Sequence, residues 1–128
     1  MPVCQTTEKQ GWTTVNNIMT PLGAPDFSQF LTPAMNSEAD VIVLNHYGKD
    51  MINSLTQAVQ FGMRDMEKNG KKVEVVVPLY SELMASGAGD NIEGVFGTAQ
   101  FNEKLDDAGS QAFIKPFTDE YGAPPSQA

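Results

Sequence analysis

From Ala39 to Leu44 the chain is apolar at every position except Asp40, and Val73–Leu79 is a second run dominated by valine. Unbroken β-branched runs of this length predict strands buried on both faces, as in parallel sheets. Pro78 marks the end of the second run, since proline cannot donate to a ladder. Thr13–Ile18 and Gly94–Phe101 read as two further strands. Between these runs the apolar period lengthens to that of a helix. Phe27, Phe30, Leu31, Ala34 and Met35 recur at helical spacing behind Asp26, which reads as an N-cap with Gln29 three residues on. Pro33 kinks or shortens that helix. Lys49–Met66 is the clearest helix, with an apolar stripe of Met51, Ile52, Leu55, Ala58, Val59 and Met63, and Gly70 as its terminator. Ser81–Ser86 predicts a short helix. Ser110–Tyr121 predicts a last one, with Phe113, Ile114, Phe117 and Tyr121 on one side and Pro116 as a blemish.

The resulting order is β-α-β-α-β-α-β-α. Each crossover is long enough to join parallel strands, and such crossovers are right-handed. The pattern predicts a three-layer Rossmann- or flavodoxin-like α/β lobe with a mainly parallel sheet. Ligands of such sheets sit beyond the carboxyl ends of the strands. Here those ends are the loops Met19–Pro25, Asn45–Lys49, Leu79–Glu82 and Ala99–Glu103.

Composition narrows the partners. The 128 residues suit a single domain over 1–128, and 41% apolar content suits a folded core. A net charge of −8 with a pI near 4.4 and no Lys/Arg cluster argues against nucleic acid and against an anionic membrane surface. No apolar stretch has the ~20 residues needed to cross a bilayer. The N-terminal stretch, MPVCQTTEKQGW, lacks the basic and apolar regions of a signal peptide. Cys4 is the sole cysteine, which excludes an internal disulfide, and it has no activating base nearby in the sequence.

Enzyme signatures are missing: no Walker A loop, no G-x-S-x-G elbow, no H-E-x-x-H and no C-x-x-C. One His and one Cys do not furnish a zinc site, and no cofactor is expected. Asp26, Asp50 and Glu82 are carboxylate candidates, yet acids near helix starts ordinarily serve the helix dipole. The more informative corner is His46–Tyr47–Gly48, where a buried strand hands over to a helix. His46 is a potential base or ligand donor, or a strand-end histidine satisfied by its own chain. Tyr47 offers a flat apolar face with a hydroxyl. Gly48 permits a close backbone turn, and the helix start behind it offers free N–H groups to an anion. Tyr80 and Ser81 hold the same place after the next strand, so the two strand ends suggest a shared ligand crevice. The methionines read as core filler.

At this point an ordered set of motifs becomes informative. Gly11-Trp12, PLGAPDFS (Pro21–Ser28), ADVIVL (Ala39–Leu44), GKD (Gly48–Asp50), Gln57-Ala58 with Phe61-Gly62, EGVFGTAQF (Glu93–Phe101) and QAFIKPFTDEYGAPPS (Gln111–Ser126) follow one another along the chain. From about Glu8 to its C-terminus the sequence resembles the second lobe of type I periplasmic substrate-binding proteins, the leucine and branched-chain amino-acid receptors of ABC transporters. The resemblance implies a two-lobed, hinged receptor that closes on an amino acid or small organic acid and delivers it to a membrane permease from the periplasm. It places Tyr47 or His46, and Tyr80 or Ser81, at the positions where the second lobe touches ligand. It also implies a partial lobe: the first lobe, the second lobe's first strand and the segment returning through the hinge have no counterpart here. A doubly wound sheet without its central strand has open edges, so self-association is expected. A ligand-sensing regulatory module of the same fold is the alternative. A small α/β enzyme using His46 with Asp50 ranks lower, for want of a nucleophile or a cofactor cradle.

Overall fold

The valine-rich runs become neighbouring strands. The computed structural model describes residues 2–126. Strand β1 (Val41–Val43) pairs in parallel with β4 (Glu74–Val77), and β4 pairs in parallel with β5 (Val95–Gly97). The order in the sheet is β1-β4-β5. Val43 lies beside Val76, and Val76 beside Phe96, so the carboxyl ends of the three strands are level. The crossovers are helix α3 (Gly48–Gln60) between β1 and β4, and helix α4 (Glu82–Ala88) between β4 and β5. Two further helices, α1 (Pro2–Lys9) and α2 (Ser28–Met35), precede β1, and α5 (Ala108–Tyr121) follows β5. The mixed α/β lobe with a parallel sheet expected from the apolar pattern is what forms.

The core lies between the sheet and helices α2, α3 and α4. Phe27, Met51, Leu55, Met63 and Val77 are fully buried, joined by Leu31, Ile42, Leu44, Val75 and Met84. Removing side chains of this size from water contributes roughly 1.5–3 kcal/mol each. Helix α4 seats closely on α3 because position 87 has no side chain. A Cβ there would lie 2.4 Å from Ile52 Cδ1.

Several elements depart from the expectation. Thr13–Ile18 is not a strand: it has no ladder partner, and Thr13–Met19 makes no backbone–backbone hydrogen bond with any described residue. A strand exists only through pairing, and nothing in the described chain lies against this stretch to pair with it. The helix expected over Lys49–Met66 stops at Gln60, where Phe61 and Gly62 hydrogen-bond back to Gln57 and Val59. Met63 is still buried, but on a 3₁₀ turn, Met63–Asp65. Gly70 does not end a helix. With Asn69 it forms the turn of a small hairpin, β2 (Glu67–Lys68) and β3 (Lys71–Lys72), and both residues have positive φ, as a type I′ turn requires. Helix α2 begins one residue later than expected. Phe27 is its N-cap, while Asp26 accepts from Ser28 N at 2.8 Å. Helix α5 buries Ile114 but leaves Phe113 and Tyr121 exposed.

Candidate functional site

The two strand-end corners fall in step. Val43 and Val76 are paired, so Tyr47 and Tyr80 stand equally far beyond the ends of adjacent strands. Tyr47 is the extended N-cap of α3 and makes no capping bond with its side chain; half its surface is exposed. Gly48 opens the helix at φ +55°, a left-handed conformation that side-chain-bearing residues rarely adopt. The space around it is open, with nothing within 4 Å of where a Cβ would stand.

His46 behaves differently. Its Nε2 meets Thr20 Oγ1 at 2.9 Å and its Nδ1 meets Ser54 Oγ at 2.8 Å. Its ring leans on that of Phe27, centroid to centroid 5.0 Å. Burial pushes its pKa below the ordinary histidine value, against the pull of Asp50. Asp50 itself accepts from Gly23 N at 2.9 Å. Ser81 is buried and caps α4, its Oγ accepting from Met84 N at 3.3 Å.

Tyr80 is half-buried and donates its backbone N–H to Thr98 O at 3.1 Å, which ties the end of β4 to the end of β5. Burial and nearby Glu82 push its phenol pKa upward. Tyr80, Ser81, Glu82, Phe101, Glu103 and Pro125 are among the residues lining a crevice of about 250 Å³. Within it, a hydrogen bond between Glu82 and Glu103, and then their mutual repulsion, hold Glu82 above the usual carboxylate range; Lys104 acts the other way. The crevice brings Tyr80 and Ser81 together, whereas His46, Tyr47 and Gly48 are not among its lining residues. Phe101 and Glu103 join the crevice without having stood out as site residues in the sequence. Their only signal was a place in the loop after the last strand. Among the described residues no group of three or more His, Cys, Asp and Glu side chains could hold a metal ion.

The rim that results has two tyrosine faces with their hydroxyls, the start of a 13-residue helix and a carboxyl pair. It suits holding a small polar molecule.

Comparison with known proteins agrees with this outline. The pattern of the family described as "periplasmic binding protein" matches residues 3–128. A solved amino acid ABC transporter substrate-binding protein from Pseudomonas fluorescens Pf-5 superposes with a TM-score of 0.83 at 28% identity, over 95% of this chain and 32% of its own. A branched chain amino acid ABC transporter periplasmic ligand-binding protein from Burkholderia xenovorans LB400 gives 0.77 at 26% identity, over 94% and 31%. A periplasmic binding protein from Burkholderia mallei gives 0.76 at 22% identity, over 96% and 31%, a likeness of fold. No curated protein matches. The chain spans about a third of the length of these solved relatives. Helix order, level strand ends and the match over residues 3–128 together show that the chain belongs to the periplasmic binding protein family.

Proposed function

We propose that this chain forms one wall of the ligand site of an ABC-importer solute-binding protein that takes an amino acid or small organic acid in the periplasm and presents it to a membrane permease. The observation that carries the reading is the level placement of Tyr47 and Tyr80 beyond paired parallel strands, in a chain of this family. Tyr47, Gly48 and Tyr80 contact the ligand, with the first-turn N–H groups of α3 available to a carboxylate. His46 and Ser81 stand behind them. A second wall closes over the ligand, and the closed state is selected because both sets of contacts exist only there. One wall buries only part of a ligand, so this chain alone binds weakly. The coding sequence on either side tests the reading. A flanking second lobe supports it; a fused signalling domain, or stop codons close by, overturns it.

We also propose that this chain self-associates through the outer edge of β1. Asp40 O accepts from Glu74 N and Leu44 N donates to Val76 O, so the alternate residues Val41 and Val43 turn their N–H and C=O groups away from β4. No described residue bonds them. That edge carries no lysine, proline or bulge to discourage pairing. The partner is a second copy, whose uncharged Trp12–Thr20 stretch, unpaired in any ladder among the described residues, supplies the strand. In a chain of net charge −8, copies approach most easily through neutral surfaces such as these. Reciprocal exchange closes a twofold dimer. Light scattering over a concentration series is expected to show the dimer, with Val43→Pro giving the monomer. A monomer at every concentration overturns the proposal.

A further inference from the structure

Helix α3 and its entry present a polar stripe along one side: His46, Asp50, Ser54 and Gln57, spaced as successive turns. Three of them, His46, Asp50 and Gln57, bond the loop that leads into α2, and Ser54 holds His46 from behind. His46 holds Thr20, Asp50 holds Gly23 N, and Gln57 accepts from Phe27 N at 2.7 Å while donating to Pro25 O at 3.3 Å. From Thr20 to Asp26 the loop makes no backbone–backbone hydrogen bond with any described residue. Its path is therefore set by side chains of α3. Phe27, fully buried against the His46 ring, anchors its far end.

We infer that His46 is a positioning residue, not a ligand contact: a neutral Nδ1–H imidazole that registers the Thr20–Pro25 loop against Tyr47. The inference rests on the reading of this rim as a ligand wall and adds how the wall is held. Ser54 decides the tautomer. Its hydroxyl is buried and gives its proton to Met51 O at 3.2 Å, so it accepts from His46 Nδ1–H. Nε2 is then the bare acceptor, and Thr20 Oγ1–H donates to it. Both ring nitrogens are spent inside the chain. His46 directly precedes Tyr47, so the same imidazole ties the Thr20–Pro25 loop to the loop that follows β1. Protonation would put a charge in a half-buried place and remove the acceptor that Thr20 uses. Asp50, on α3, is the charged group acting on the ring; the loop from Thr20 to Pro25 contributes none, and the Asp26 carboxylate is turned to Ser28 N. The wall should loosen as the ring titrates.

Nuclear magnetic resonance of the whole chain, without ligand, tests this. The expected result is an Nδ1–H tautomer for His46, with the backbone amides of Thr20, Gly23 and Tyr47 following the titration of its ring. Thr20→Val, which leaves the buried Ser54 contact in place, should speed hydrogen exchange at Gly23 about fivefold, the worth of one ordinary hydrogen bond. An Nε2–H tautomer, amides at Thr20 and Gly23 that ignore the ring, or unchanged exchange in Thr20→Val would overturn it. No ligand enters this experiment, so its failure leaves the ligand-wall reading standing, and absence of ligand binding leaves the seam standing.

Discussion

His46 shows how much one residue's role depends on neighbours that local sequence does not reveal. Its place at a strand end was readable from the apolar run before it. Its partners were not, because Thr20 lies 26 residues away and Ser54 two turns along a helix. The structure turns a candidate base into a satisfied strut. A pH effect follows from its depressed pKa. The unfolded chain takes up the proton near pH 6.5 while the folded chain resists it. Unfolded molecules thus bind more protons in that window, and stability rises with pH. The contribution of His46 is complete above about pH 6.5 and declines as the pH falls toward the folded-state value. Denaturation midpoints of the wild type should drop across that range, and those of His46→Asn should drop less. Comparison with the variant separates His46 from Glu82, whose raised pKa acts with the opposite sign. Gly48 gives a second prediction at this scale. Alanine at φ +55° should cost about 1 kcal/mol by chemical denaturation without any steric clash.

Among the elements, the three strands of the parallel sheet were legible, whereas the β2–β3 hairpin was not and the strand expected over Thr13–Ile18 did not form. Val41–Val43 and Glu74–Val77 fall inside their apolar runs because each has a neighbour in register. Thr13–Ile18 has the same β-branched character and stays unpaired, since propensity describes how a residue fits a sheet that already exists. The apolar period of α3 runs on through Met63, but periodicity cannot tell a helix from a 3₁₀ turn that buries the same side chain. Asn69-Gly70 between lysines was a hairpin signal overlooked beside the longer helical pattern. On α5, Phe113, Phe117 and Tyr121 stack successively at centroid separations of 5.6 and 4.5 Å, with Phe101 against Phe113. The stripe is real, yet it packs largely on itself. Where helices do meet, packing is close. Gly87→Val should cost about 2 kcal/mol by chemical denaturation, by driving a side chain into Ile52.

At the scale of the molecule, three level strand ends form a rim, and the chain covers about a third of its solved relatives. The family was legible because its motifs are spread in order along the chain. The ligand was not, because a binding site made by two walls is specified by both. On the proposed reading, Tyr47 and Tyr80 would define where a ligand rests more than which ligand it is. The most direct measurement is a titration of the isotopically labelled chain with leucine and, separately, with a short organic acid. One wall predicts shifts confined to Tyr47, Gly48, Tyr80 and their immediate neighbours, with a Kd near the millimolar range, or about −4 kcal/mol. Micromolar binding by this chain alone, or shifts on a face remote from the strand ends, would contradict the account.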